Sequence, residues 1–241
     1  EADVHIGSRS GFTPLMFAAQ QGDIESAQIL LGAGANVNEL MPKTGLTPLL
    51  VASASGFTEL TALLLERGAS TELVDNRGNT ALHLAARNRS ALGVVKNLLK
   101  HGANPNARLN HPRGKLLTPT ELNLQGVTPL LLAADEGNLE MMRTLLDAGA
   151  DPSLTTDQNI TALMMAVGAA ATLAEERPTY AKQYVLGAVK LLVELGNDVN
   201  AIGHFGWTAL HLAAYHGEDD VIQYLISKGA DPNKLDGFGQ T

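Results

Sequence analysis

Cysteine is absent from the 241 residues. Disulfides and thiolate metal sites are therefore excluded, although no compartment follows from this. Aromatic residues are scarce, with one Trp, four Tyr and five Phe. No apolar run reaches the roughly 18 residues that a membrane-spanning helix needs, so no membrane insertion is expected. The short motifs of common catalysis are also missing: there is no G-x-S-x-G, no H-E-x-x-H and no phosphate-binding G-x-x-x-x-G-K. An enzyme is not expected, and neither is a cofactor or a resident metal.

Apolar residues make up 45% of the chain, dominated by Leu and Ala, and glycine is frequent. That mixture suits helices packed closely through small side chains. The net charge of −8 hides a strong asymmetry. Residues 75–115 carry Arg77, Arg87, Arg89, Lys96, Lys100, Arg108, Arg113 and Lys115 against the single acid Asp75, a net of +7. Residues 1–74 sum to −5 and residues 116–241 to −10. A basic belt thus lies between acidic ends.

One phrase recurs along the chain. GFTPLMFAAQQG at 11 returns as GLTPLLVASASG at 45, GNTALHLAARNR at 78, GVTPLLLAADEG at 126, NITALMMAVG at 159 and GWTALHLAAYHG at 206. Its threonines, Thr13, Thr47, Thr80, Thr128, Thr161, Thr208 and Thr241, are spaced 34, 33, 48, 33, 47 and 33 residues apart. The period is 33, with two insertions of about 14 residues. Each threonine stands where a helix needs an N-cap, a side-chain oxygen that accepts a bond from an otherwise unpaired N–H. Pro14, Pro48 and Pro129 follow at the first helical position, where a missing N–H costs nothing. Apolar residues then recur at helical spacing, and a glycine breaks the chain. A second helix ends at Gly34, Gly68, Gly102, Gly149, Gly196 or Gly229, each placed for a left-handed cap.

This unit resembles the ankyrin repeat, whose pattern is T-P-L-H-x-A in about 33 residues. The resemblance implies an all-α solenoid of stacked helix-turn-helix units with finger loops. A single domain over 1–241 is expected, with six repeats near 8–41, 42–74, 75–122, 123–155, 156–202 and 203–235, and partial units at both ends. Those partial units lead us to expect an excerpt of a longer protein, or flanking repeats that are lost or disordered. The motif histidine survives only as His83 and His211; Met16, Leu50, Leu131 and Met164 stand in its place elsewhere, trading polar bonds for apolar packing. The two insertions resemble those of some bacterial ankyrin proteins, several of which look exported. One, over 107–124, enlarges a finger and carries Pro112, Gly114 and Pro119, which disfavour a long helix. The other, over 169–187, is expected to lengthen the first helix of repeat five to about Glu176, turn at Pro178 and continue helically to Leu195.

The resemblance implies binding of a protein or extended peptide in a groove built from the fingers and the ends of the first helices. Carried over by position, the groove is expected to be basic at one end, through Arg9, Lys43, Arg77 and Arg87, with Arg108, Arg113 and Lys115 extending the belt. At the other end it is aromatic, through His204, Phe205, Trp207, Tyr215, His216 and Phe238. Trp and Tyr offer large contact area at low entropic cost and dominate interface hot spots. A partly acidic protein or peptide partner suits the basic end. Association between arrays, basic middle to acidic end, is a further option. Nucleic acid is disfavoured, because the acidic flanks would repel a long duplex. The alternative from another class is a hydrolase-like or metal-dependent enzyme around His204, Trp207 and His216. Against it, His211 and His216 are five residues apart and do not share a helical face.

Overall fold

In a computed structural model, the structure describes residue 8 and residues 11–110, 125–168 and 179–239. Among the described residues there are helices and loops but no strand. The helices come in pairs: α1 (Pro14–Gln21) with α2 (Ile24–Gly32), α3 (Pro48–Ser55) with α4 (Thr58–Glu66), and α5 (Ala81–Ala86) with α6 (Leu92–Lys100). Then follow α7 (Pro129–Asp135) with α8 (Leu139–Asp147), α9 (Ala162–Val167) with α10 (Thr179–Glu194), and α11 (Ala209–His216) with α12 (Asp219–Ser227).

The caps form where the repeated phrase places them. Thr13, Thr47, Thr80, Thr128, Thr161 and Thr208 have extended backbone, and each hydroxyl accepts the N–H three residues on. At the other end of each pair the six predicted glycines have φ between 83° and 94°. The residue after each glycine donates back to the third residue before the cap, as Ala69 N–H does to Leu64 O at 2.9 Å and Ala230 N–H to Leu225 O at 3.0 Å. Those bonds satisfy carbonyls that the helix end leaves open, and the buried Ala69, Ala103, Ala150 and Ala230 add an apolar contact.

The two surviving histidines complete capping boxes. Thr80 N–H donates to His83 Nδ1 at 3.3 Å, and Thr80 Oγ1 lies 2.8 Å from the same nitrogen. A backbone N–H can only donate, so Nδ1 accepts and the neutral ring carries its hydrogen on Nε2. Thr208 and His211 repeat this geometry. At the other four positions Met16, Leu50, Leu131 and Met164 are at most 1% exposed, so apolar burial replaces the polar pair.

The chain divides into two compact units, Glu1–Arg113 and Gly114–Thr241. In the first, α1, α3 and α5 lie side by side in one layer and α2, α4 and α6 in a second. In the second, α7, α9 and α11 form one layer and α8, α10 and α12 the other. The core lies between layers, built from residues such as Leu49, Leu64, Leu82, Val94, Leu130, Met141, Leu163 and Leu192. Burial of each such side chain is worth about 1.5–3 kcal/mol. Outer helices approach closely where glycine allows it: a Cβ on Gly93 would lie 2.6 Å from Thr58 Oγ1, and one on Gly187 would lie 2.7 Å from Leu139 Cδ1.

Fingers are tied to one another by their backbones. Asn76 N–H donates to Thr44 O at 2.7 Å, Asp157 N–H to Gln125 O at 2.9 Å and Gly237 N–H to Phe205 O at 2.6 Å. These bonds join the same two positions in successive fingers, so the register of the stack is set by main chain as well as by packing.

The insertion in repeat five differs from expectation. The helix that begins at Ala162 closes at Val167, where Gly168 takes φ 111° and donates to Met164 O and Met165 O. A single helix running on to Glu176 is therefore not formed. Glycine is the residue for which this left-handed backbone costs least, so it closes the helix here. Pro178 and the rest of 169–178 lie outside the described residues, as does the finger insertion over 111–124. The second helix starts at Thr179, directly after that proline, and ends at Glu194.

Candidate protein-binding face

On the inner side, two kinds of position remain exposed when helix pairs stack: the fingertips, and the last turn of most first helices. The residue seven places after the capping threonine is exposed in α1, α3, α5 and α11, as Gln20, Ala54, Arg87 and Tyr215. One place earlier, Ala19, Ser53, Ala86, Ala134 and Val167 are fully buried. In α11 the equivalent Ala214 is exposed, with no further pair against it among the described residues. The inner face is therefore set by register and is distinct from the stacking face.

In the first unit this face is basic. Lys43, Arg77 and Arg87 are all exposed, and Asn76 joins two of the fingers through a side-chain bond to Lys43 O at 3.2 Å. Asp75 is not presented on this face. Its carboxylate is buried in the finger, accepting from the N–H groups of Arg77 and Asn79 at 2.9 and 2.8 Å and from the Asn79 amide. Arg108 is exposed on the following finger. Arg9, Arg113 and Lys115 lie outside the described residues.

The second unit brings the aromatic candidates together. Phe205 stacks on Phe238 of the next finger at 6.0 Å with 25° between planes, and it also lies 6.0 Å from Trp207 and 3.9 Å from His204. Trp207 is half-buried and donates from Nε1 to Asp236 Oδ2 at 3.3 Å, so it latches one finger to the next. Phe238 and Tyr215 are each 69% exposed. A concavity of about 510 Å³ lies among Trp207, Tyr215, Asp236 and Phe238, floored by α11.

Phe205 holds an unusual backbone. Its φ of 61° and ψ of 13° are left-handed, a conformation that costs a residue with a side chain about 1–2 kcal/mol. Gly206 follows at φ 78°, and a Cβ there would sit 2.9 Å from the Asp236 carbonyl carbon. The tight turn and the next finger's approach thus need glycine at 206, and the 3-10 turn at His204–Gly206 takes Phe205 with it.

The histidines do not converge. His216 Nε2 donates to Gly168 O at 3.3 Å and its ring meets Tyr215 edge-on at 5.1 Å. His204 rests on Phe205, and His211 is occupied with Thr208. Among the described residues no group of three or more His, Asp or Glu is placed to hold a metal ion. No helix of the described residues is long and apolar enough to cross a membrane.

Sequence reasoning passed over Asp236, which becomes relevant only once two fingers 29 residues apart are seen to meet. The acids Asp135, Glu136 and Asp157, by contrast, occupy inner-face positions that the repeat register already marks.

Comparison with known proteins agrees with this geometry. A family model of ankyrin repeats in three copies matches residues 15–108 and 179–236, and a single-repeat model matches 125–157. The chain belongs to the ankyrin repeat family. The unmatched stretches 109–124 and 158–178 contain most of the two insertions. Bovine ankyrin repeat and SOCS box protein 3 is 30% identical over 175 residues, covering 71% of this chain but 28% of its own length. The chain therefore spans about a quarter of that relative. The ankyrin repeat domain of human ASB11 superposes with a TM-score of 0.75 at 27% identity, covering 95% of this chain and 89% of that one. The ankyrin repeat domain of Bcl-3 gives 0.69 at 26% identity, with 96% and 92% covered. Ankyrin repeat domains are protein-interaction modules, and the fold is typically non-enzymatic.

Proposed function

We propose that this ankyrin repeat chain is a scaffold that receives a protein or an extended peptide on the inner faces of its units, formed by the fingers and the last turns of α1, α3 and α5 in the first and of α7 and α11 in the second. The six repeats with the boundaries given above act as one domain in this reading. The observation that carries it is the chemistry left exposed by the register. In the first unit it is Lys43, Arg77 and Arg87, and in the second it is Tyr215 and Phe238. Arg and large aromatics are the side chains that anchor interfaces. No described inner-face residue of the first unit is an exposed acid, so that unit takes an acidic segment of the partner.

Peptides selected from a random library on the immobilised chain test this reading. Glu and Asp are expected to be enriched in the selected peptides. Joint substitution Lys43→Glu, Arg77→Glu and Arg87→Glu is expected to abolish capture while leaving the helical signal intact. Capture should also weaken with salt, since exposed charges are screened beyond about 8–10 Å at moderate ionic strength. Selected peptides indifferent to both the triple substitution and the aromatic substitutions below would overturn the inner-face assignment.

A further inference from the structure

We propose that the fingers of the first unit bind a segment in which acidic and aliphatic residues lie close together, with its carboxylates over Lys43 and Arg77 and its aliphatic side chains over Leu40 and Val74. This deepens the scaffold reading above and rests on it.

The residue six places after the cap glycine opens each finger. It is Leu40, Val74, Arg108, Thr155, Ile202 and Leu235 in turn. The four aliphatic ones are between 45% and 58% exposed. Arg108 and Thr155 hold the same position, so the fold does not demand an aliphatic residue there. A lone exposed aliphatic is ordinary on a protein surface, but two at one register position in adjacent fingers form a row. In the first unit this row lies inside the stack. A Cβ on Gly11 of the preceding finger would lie 2.9 Å from Pro42 Cδ, and a Cβ on Gly78 would lie 2.5 Å from Asn110 O of the following one. Leu40 and Val74 therefore stay in water with a finger packed on either side.

Three residues further on, the same two fingers carry Lys43 and Arg77, both exposed. Asn76 holds the fingers side by side, through its N–H to Thr44 O at 2.7 Å and its side chain to Lys43 O at 3.2 Å. An extended chain rises about 3.3 Å per residue, so the backbones of the cation row and the aliphatic row lie within about 10 Å of each other. Two or three residues of an extended peptide bridge that distance. Charge complementarity selects carboxylates for the cation row. Glu39 and Glu72 precede the aliphatic residues, so both fingers read acid, aliphatic, cation along the chain. The order orients the occupant: its acids lie towards the fingertips and its aliphatic side chains behind them.

The intact chain is titrated with a labelled, capped repeat of Glu-Ser-Leu-Ser while fluorescence anisotropy is followed. Its counterparts carry Ser for Leu or Gln for Glu. The parent peptide is expected to saturate, the Ser-for-Leu peptide to bind about tenfold more weakly and the Gln-for-Glu peptide not to bind. Leu40→Ser and Val74→Thr should each weaken the parent peptide by about fivefold and leave its salt dependence unchanged. Lys43→Gln and Arg77→Gln should flatten the salt dependence. All four side chains are exposed, so these substitutions leave the helical signal intact. Tyr215→Ala and Phe238→Ala, in the other unit, should change nothing. Absence of saturation, equal binding of the Ser-for-Leu peptide, binding that ignores both Leu40→Ser and Val74→Thr, or binding lost in the second-unit variants overturns the proposal. If library-selected peptides ignore the aliphatic substitutions but fail on the Lys43, Arg77 and Arg87 triple variant, the scaffold reading stands and only the aliphatic row falls.

Discussion

Phe205 separates a side chain kept for contact from one kept for folding, and Phe205→Asn is the substitution that distinguishes them. Relief of left-handed strain returns about 1–2 kcal/mol, because asparagine tolerates that backbone far better than phenylalanine does. Against this stands the loss of three ring contacts, with His204, Phe238 and Trp207, each at this part-exposed fingertip near the low end of about 0.5–1.5 kcal/mol. The two effects nearly cancel. Stability should stay within about 1 kcal/mol of the parent, or about 2–4 °C in Tm for a chain of this size. A phenylalanine that served the core would instead cost about 3–5 kcal/mol on truncation. Urea denaturation followed by far-ultraviolet circular dichroism reads the stability, and titration with a library-selected peptide reads the affinity, which should fall by about tenfold, as expected for an interface anchor. A loss of more than about 2.5 kcal/mol, or unchanged affinity, would refute the reasoning.

Other outcomes follow from the same geometry. Ser53 is fully buried with an unpartnered hydroxyl, and its register equivalents Ala19, Ala86 and Ala134 are alanines; Ser53→Ala should stabilise by about 1 kcal/mol in a urea melt. Gly34 and Gly78 have similar positive φ, 94° and 84°, but only a Cβ on Gly78 would meet backbone, at 2.5 Å from Asn110 O. Gly34→Ala should therefore cost about 1–2 kcal/mol and Gly78→Ala clearly more, and equal costs would contradict the finger-to-finger contact. Asp23, capping α2, is held below the ordinary aspartate range chiefly by the Ser26 hydroxyl and then by its backbone N–H. A depressed folded-state value means that the cap's contribution is present above the unfolded-state value and is lost as pH falls through the folded-state one. A carboxyl NMR titration should show Asp23 moving up towards the ordinary range in Ser26→Ala, and no movement would reject the cap bond as the cause.

Much of the architecture is legible in the sequence because its determinants are local. A threonine three residues before an N–H that needs a partner, or a glycine at a helix end, acts within one turn, so the repeated phrase marks twelve helix ends before any packing is considered. The exception, Gly168, lies in an apolar run that reads as helix on both sides. Only its left-handed backbone distinguishes a cap from an interior glycine. The inner face is equally legible as a set of positions, since register alone exposes Arg87 and Tyr215. What those positions do to each other is not legible. Trp207 reads as a groove residue or as one packed on the next finger, but its bond to Asp236 is not foreseen, and Phe205 is strained because the finger turns at Gly206, both consequences of finger spacing that appear only when the fingers are stacked.

The most direct test of the scaffold account is hydrogen–deuterium exchange of the chain with and without a library-selected peptide. Protection is expected over residues 43–46, 76–79, 204–208 and 236–239 and at the ends of α5 and α11. Protection confined to the outer helices α4 and α8, with the fingers unchanged, would contradict it.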